Sequence, residues 1–187
     1  MEMKNKIVFV GRSNTGKSST IRALTGAALK VGKRPGVTLK PLEIPYGNFK
    51  IIDMPGFGFM QGVSKKRQEE TKDFIVRCLE KSEDILFAVQ VTDAKAFAEI
   101  AKRHQARGEI PVEIEMFQFL QELHLNPILV ANKIDKIAKN EREEKLNEIC
   151  ALLGLPAPWN KDVIVPFSAK TKEGVKDLKR LIRGVVE

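Results

Sequence analysis

Residues 11–18 read Gly11-Arg12-Ser13-Asn14-Thr15-Gly16-Lys17-Ser18. This is the G-x-x-x-x-G-K-[ST] spacing of a loop that wraps its backbone N–H groups around phosphates. Gly11 and Gly16 let the chain turn where a β-carbon would intrude. Lys17 offers an ammonium to the outer phosphates, and the Ser18 hydroxyl can ligate Mg²⁺. The loop works only between a strand and a helix, and both flanks comply. Ile7-Val8-Phe9-Val10 is a buried-strand run, and Ser18–Leu24 reads as a helix whose positive N-terminus faces the anion. An ordinary strand–turn–helix would require none of the fixed residues. Such a unit belongs to a parallel sheet with helical crossovers, so these few positions constrain the fold strongly.

The rest of the chain alternates accordingly. Strands are predicted at 6–11, 39–46, 48–53, 84–91, 127–132 and 162–167. Pro41 and Pro45 confine 39–46 to an edge, and Tyr46-Gly47-Asn48 suggests an antiparallel hairpin with 48–53. Apolar periodicity predicts helices over 65–81 (Phe74, Cys78, Leu79), 141–153 (Leu146, Ile149, Cys150, Leu153) and 174–186 (Val175, Leu178, Leu181, Ile182, Val185). Asn140 with Glu143 resembles a capping box, and Gly154 with Pro156 ends that helix. Segment 112–124 alternates like a strand at first, but Phe117, Leu120 and His124 favour a helix, with Pro111 at its first turn. The expected fold is α/β: a six-stranded, mostly parallel sheet with one antiparallel edge strand and helices on both faces.

With 187 residues, 43% hydrophobic and 30% charged, the chain suits one domain, 1–187, with an insertion at about 94–110. No apolar run approaches the roughly 20 residues of a membrane span, and no signal-peptide core precedes the first strand. Cys78 and Cys150 sit on apolar helical stripes and read as buried thiols. A reduced, cytoplasmic protein is expected. The net charge of +8 points to a polyanionic partner beyond any nucleotide, although Lys- and Glu-rich surfaces also occur in heat-stable proteins.

Further motifs separate the possible phosphate chemistries. Asp53-Met54-Pro55-Gly56 follows the 48–53 strand. A carboxylate there can hold the Mg²⁺ shell through water, and the Gly56 N–H can reach a γ-phosphate. Asn132-Lys133-Ile134-Asp135 follows Ile128–Ala131. Asp135 can accept two hydrogen bonds from guanine N1–H and the 2-amino group, a donor pair adenine lacks. Asn132 can bond the base edge and tie loops together, and the Lys133 stem can lie against the ring. Ser168-Ala169-Lys170 ends the next strand, where the Ala169 N–H could donate to guanine O6. Thr38, inside Arg34-Pro35-Gly36-Val37-Thr38, could complete the Mg²⁺ shell when a γ-phosphate is present; the bland alternative is a β-branched residue opening an edge strand.

In this order the motifs resemble a Ras-like P-loop GTPase of the translation-factor-related class. The Gly11–Ser19 loop, the Arg34–Thr38 run and especially Asp53-Met54-Pro55-Gly56-Phe57-Gly58-Phe59 are similar to the EngB (YihA/YsxC) family. The resemblance runs from Ile7 to the final helix. It implies a GTP/GDP-binding, Mg²⁺-dependent protein tied to large ribosomal subunit assembly, its rRNA, and cell division or septation. Two departures stand out: bacterial members often carry Thr at the position of Asn132, and 94–110 is long. The implied nucleotide contacts are Gly11 to Ser19, Gly36, Val37, Thr38, Asp53, Met54, Pro55, Gly56, Asn132, Lys133, Asp135, Ser168, Ala169 and Lys170. Lys17, Thr38 and Gly56 are the candidate catalytic groups, and Ser18, Thr38 and (through water) Asp53 the metal groups.

Many GTPases orient the attacking water with a Gln directly after the D-x-x-G glycine. Phe57 stands there and cannot, so slow intrinsic turnover is expected. Asn14 is either a K⁺ ligand near the phosphates, as in related GTPases, or a loop-shaping residue. His104 and His124 read as surface or helix-end residues. Besides a GTPase switch, a GTP-gated binding module and a P-loop small-molecule kinase remain; the kinase leaves Asn132–Asp135 without a role. The expected state is a monomer. Basic residues at Lys30, Lys33, Arg34, Lys40, Lys65, Lys66, Arg67 and within 94–110 would give GTP-ordered loops an RNA-binding face.

Overall fold

The computed structural model describes residues 5–27, 40–58, 60 and 62–186. The chain runs β1 (Lys6–Gly11), α1 (Lys17–Thr25), β2 (Leu42–Tyr46), β3 (Phe49–Asp53), α2 (Lys65–Lys81), β4 (Ile85–Asp93), α3 (Phe97–Gln105), α4 (Val112–Glu122), β5 (Ile128–Asn132), α5 (Arg142–Leu152), β6 (Ile164–Pro166) and α6 (Val175–Val186). The strands form one sheet in the order β2-β3-β1-β4-β5-β6. Among the described residues only β2 is antiparallel, joined to β3 through Gly47-Asn48, with Gly47 at φ 60°. Pro45 is tolerated because β2 is an edge.

Strand alternation decides which helices cover which face. Ile7 and Phe9 of β1 point to one side, where Ile21 and Leu24 of α1 and Leu178, Leu181 and Ile182 of α6 close over them. Val8 and Val10 point to the other side, against Ile75 and Leu79 of α2 and Met116 and Leu120 of α4. Beyond β4 that second layer continues with Phe97 and Ala101 of α3, Ile114 and Phe117 of α4, and Ile149 of α5. β1 and β4–β6 are buried on both faces, as parallel strands between two helical layers are, and the polar Gln90 and Thr92 of β4 donate hydrogen bonds to Glu113.

The core helices differ from the sequence reading in detail. On α2, Ile75 is fully buried whereas Phe74 is 41% exposed and Cys78 only partly covered. Leu79 is buried as expected, but Ile75, four residues before it, takes the core side in place of Phe74 and Cys78. At α5, Asn140 does not cap. Residues Lys139–Glu141 form a 3₁₀ turn, and Glu141 takes the cap position with no side-chain hydrogen bond. The helix does end at Gly154, whose φ of 68° permits the Gly154 N–H to reach Ala151 O and the Leu155 N–H to reach Cys150 O. Segment 112–124 is helical behind Pro111 as far as Glu122, and His124, at φ 56°, lies in the turn that follows. Segment 94–110 contains α3, which buries Phe97, Ala98 and Ala101 and pairs Lys102 with Glu148 of α5 at 2.6 Å. Gly36, Val37 and Thr38, with Lys30, Lys33, Arg34 and Phe59, lie outside the described residues, as does the Val185 side chain.

Candidate nucleotide-binding site

In an open α/β sheet, ligands settle outside the carboxyl ends of the strands. Strand register brings the motif residues to that edge: Asp53 stands two residues from the end of β1, opposite Phe9, and Asp93 stands opposite Asn132. Gly11 ends β1, and Ser168 follows β6. Motifs more than a hundred residues apart thus converge through parallel pairing alone.

The loop itself needs unusual backbone. Asn14 has φ 68° and Gly16 φ 91°. A side chain at Gly16 would also collide with Asn132 Nδ2. Asn14 is exposed at the loop tip, and its left-handed backbone fits a loop-shaping residue, since Asn tolerates that region. Arg12 and Ser13 lead into the tip, and α1 begins at Lys17 with Ser18 and Ser19 in its first turn.

The groups that would meet phosphate and metal satisfy one another here. Lys17 Nζ and Ser18 Oγ both donate to the Asp53 carboxylate, the latter at 2.7 Å. Lys17 and Asp53 are both buried. Burial pushes the Lys17 ammonium below its ordinary value, and Asp53 only partly restores it. A phosphate would bring further negative charge to that ammonium. Met54 is buried, Pro55 follows it, and Gly56 lies so close to the loop that a β-carbon there would stand 3.1 Å from Ser13 Cα. The Ser13 N–H donates to Phe57 O at 3.0 Å and the Phe57 N–H to Gly11 O at 3.3 Å. The segment after β3 is therefore pinned to the phosphate loop by its own backbone. The Phe57 ring is wholly buried with Val8, Met54 and Leu120, so it supplies packing rather than chemistry.

The second half of the site is a clamp around Asn132. Its Nδ2 donates to Thr15 O at 2.8 Å, and its Oδ1 accepts the Ala169 N–H at 3.1 Å. One buried amide thus ties the phosphate loop to the Ser168–Lys170 loop. Asp135 accepts the Ser168 hydroxyl at 2.6 Å, leaving its other carboxylate oxygen for a ligand. Lys133, at φ 63°, lays its side chain across the site to Asn14 O (2.8 Å) and Asp93 (2.6 Å). A left-handed lysine is strained, and such strain collects at functional loops. Lys170 is exposed beyond Ala169.

Two participants are absent from the motif reading. Asp93 holds Lys133 and also accepts the Lys95 and Ala96 N–H groups. Its signal was available, since it ends an apolar strand at the same edge. Glu113, in the first turn of α4, is almost wholly buried, accepts the Thr92 hydroxyl and lies 3.4 Å from Arg12 Nη1. Burial drives its carboxyl above the ordinary glutamate range, against the pull of Thr92 and Arg12. No spacing in the sequence announces a contact between residues 101 apart. The pair fixes the phosphate loop to α4 beneath the Phe57 segment. There Gly58, at φ 76°, leaves room for Arg12: a β-carbon would stand 3.1 Å from its Nε.

Ser18 and Asp53 present hard oxygen donors side by side, the donor type Mg²⁺ prefers. Among the described residues no group of three or more His, Cys, Asp or Glu side chains could hold a metal by itself. The residues therefore fit an ion that takes most of its ligands from phosphate and water.

Comparison with known proteins agrees with this geometry. A family model described as 50S ribosome-binding GTPase matches residues 6–133. A probable GTP-binding protein EngB from Methanopyrus kandleri is 57% identical over 176 residues, covering 91% of this chain and 86% of its own. One of the same description from Pyrococcus horikoshii is 48% identical over 181 residues, covering 96% and 83%. The crystal structure of a probable GTP-binding protein EngB superposes with a TM-score of 0.88 at 46% identity, over 97% of this chain and 98% of that one. The FeoB G-domain from Methanococcus jannaschii, at 24% identity and a TM-score of 0.59 over 98% of each chain, shares the fold.

Proposed function

The chain belongs to the EngB family of GTP-binding proteins and is a GTPase, and from that premise we propose that it is a Mg²⁺-dependent switch acting on the large ribosomal subunit. The observation that carries the switch reading is the self-contact of the site. Lys17 and Ser18 rest on Asp53, and the backbone at Phe57 rests on Ser13 and Gly11. A triphosphate competes for Lys17, Ser18 and the Gly56 N–H, so GTP and GDP stabilise different arrangements of the segment after β3.

In the proposed reaction the loop N–H groups and Lys17 balance the charge that develops on the β- and γ-phosphates, and the Gly56 N–H orients the γ-phosphate. Ser18, with Asp53 behind it through water and Thr38 as a further candidate, would hold Mg²⁺, which would supply charge neutralisation to the phosphates. Asp135, with one oxygen held by Ser168, accepts the guanine N1–H and 2-amino group, and the Ala169 N–H serves O6. The Phe57 side chain cannot orient water by a hydrogen bond, which supports slow turnover by the isolated protein, on the order of 10⁻⁴ s⁻¹ as for unassisted Ras.

The ribosomal partner is supported by the matching family's description and by the net charge of +8. The roles in subunit assembly and in cell division or septation, and action as a monomer in the cytoplasm, belong to this same proposal. Among the described residues no helix is long and apolar enough to cross a membrane. The test is GTP turnover with and without purified large subunits, in Na⁺ and then in K⁺. Acceleration by subunits supports the reading, and subunit-independent fast turnover would reject it. A K⁺ effect erased by Asn14→Ala would assign Asn14 to the ion; no effect leaves it a loop-shaping residue.

A further inference from the structure

We propose that the outer face of α6 is a second docking surface, built for the phosphate backbone of RNA and independent of the nucleotide-sensing loops. Lys176, Lys179, Arg180 and Arg183 recur at helical spacing, so they share one face. That face lies directly opposite Leu178 and Ile182, which are buried on the sheet. The four residues and Gly184 line a single shallow depression. From Lys176 to Arg183 the stripe spans about 10 Å of helix, a length along which a nucleic-acid backbone offers several charges.

The distribution of charge argues against a merely solvated surface. α6 carries four basic residues and one acid, Asp177. α5, by contrast, carries Glu143, Glu144 and Glu148 against Arg142 and Lys145. Among the described residues Lys176, Lys179 and Arg183 have no acidic partner, and Arg180 has only an exposed pair with Asp162 at 3.3 Å. Solubilising or heat-stabilising surfaces interleave the two signs; this face does not.

Gly184 points the same way. Glycine weakens a helix relative to alanine, yet a β-carbon at Gly184 would meet nothing within 4 Å, and its φ is not positive. Among the described residues nothing packs against that position, which leaves room for a partner's backbone to approach the helix closely. The α6 face has no aromatic residue for base stacking, and its apolar side is committed to the core, leaving nothing to insert into a bilayer. Sequence-independent contact with RNA phosphates fits these features. The face lies on the α1/α6 layer, whereas Lys65, Lys66 and Arg67 belong to α2 on the other.

The inference rests on the ribosomal reading for its occupant, not for its position. It is tested with the full chain in GDP, titrated with a short RNA duplex over a range of salt. Lys176→Ala/Lys179→Ala/Arg183→Ala should weaken binding about tenfold or more and lower the log–log salt slope by about three. GTP affinity and thermal midpoint should stay at parental values, and Gly184→Leu should weaken binding without changing the slope. The triple variant Lys65→Ala/Lys66→Ala/Arg67→Ala should bind the duplex like the parent. An α6 variant with parental affinity and slope overturns the proposal, as does a parent that binds anionic vesicles but not the duplex. If the duplex binds through α6 while large subunits show no response to GTP, the switch reading falls and this face stands. If subunits respond to GTP and the α6 variant behaves as the parent, the reverse holds.

Discussion

Asp135 and Glu113 show how differently two carboxylates can serve one site. Asp135 is half-exposed, and one of its oxygens is fixed by the Ser168 hydroxyl. Two charged hydrogen bonds to guanine are worth about 3 kcal/mol or more together, roughly a hundredfold in affinity. Asp135→Asn should therefore lose on the order of a hundredfold in GTP affinity and gain xanthosine nucleotides, as equilibrium titration will read. Equal affinity of the parent for ATP and GTP would remove Asp135 from the base site. Glu113 is structural. Glu113→Ala leaves the half-buried Arg12 guanidinium without its carboxylate and should cost about 1–3 kcal/mol in denaturant unfolding. Its pH signature has a definite sign. The folded-state pKa is raised by burial, so the folded protein holds a proton that the unfolded chain releases. That stabilisation is complete below the ordinary glutamate value and is lost as pH rises through the raised one. Relative to Glu113→Gln, the parent's thermal midpoint should fall with pH across that window; parallel profiles would contradict the assignment.

At the scale of elements, what could be read in advance followed the range of the physics. The strand–loop–helix at 6–25, the hairpin at Gly47, the glycine stop of α5 and the polar loops at Asn132 and Ser168 are set by neighbours within a few residues. Each was legible. The choice of Ile75 over Phe74 on α2 was not, because both are apolar and only the shape of the sheet face beneath them chooses. The Arg12–Glu113 pair was illegible for the same reason, being made by the docking of α4 on the loop. Asn140 failed as a cap because the 3₁₀ turn before α5 already supplied the entry. The choice on α2 can be measured: Ile75→Ala should destabilise by about 2–5 kcal/mol, whereas Phe74→Ala should cost less than about 1 kcal/mol. Phe57→Ala belongs with the former, at about 3–5 kcal/mol, so any rate effect must be read below its unfolding midpoint.

For the whole molecule, the sheet is a frame whose carboxyl edge gathers the motif residues, and in the proposed switch the segment after β3 is the part that a triphosphate would compete to move. In the proposed switch, slow turnover and a basic exterior would suit a protein that reports its nucleotide to a large polyanion rather than one that processes substrate. The most direct test of that account is sedimentation of the protein with purified large ribosomal subunits, in GDP and in a non-hydrolysable GTP analogue, at matched salt. The account predicts that more of the protein pellets with subunits in the analogue than in GDP, and that Asp53→Ala abolishes the difference. Equal pelleting in the two nucleotides, or none in either, would contradict it.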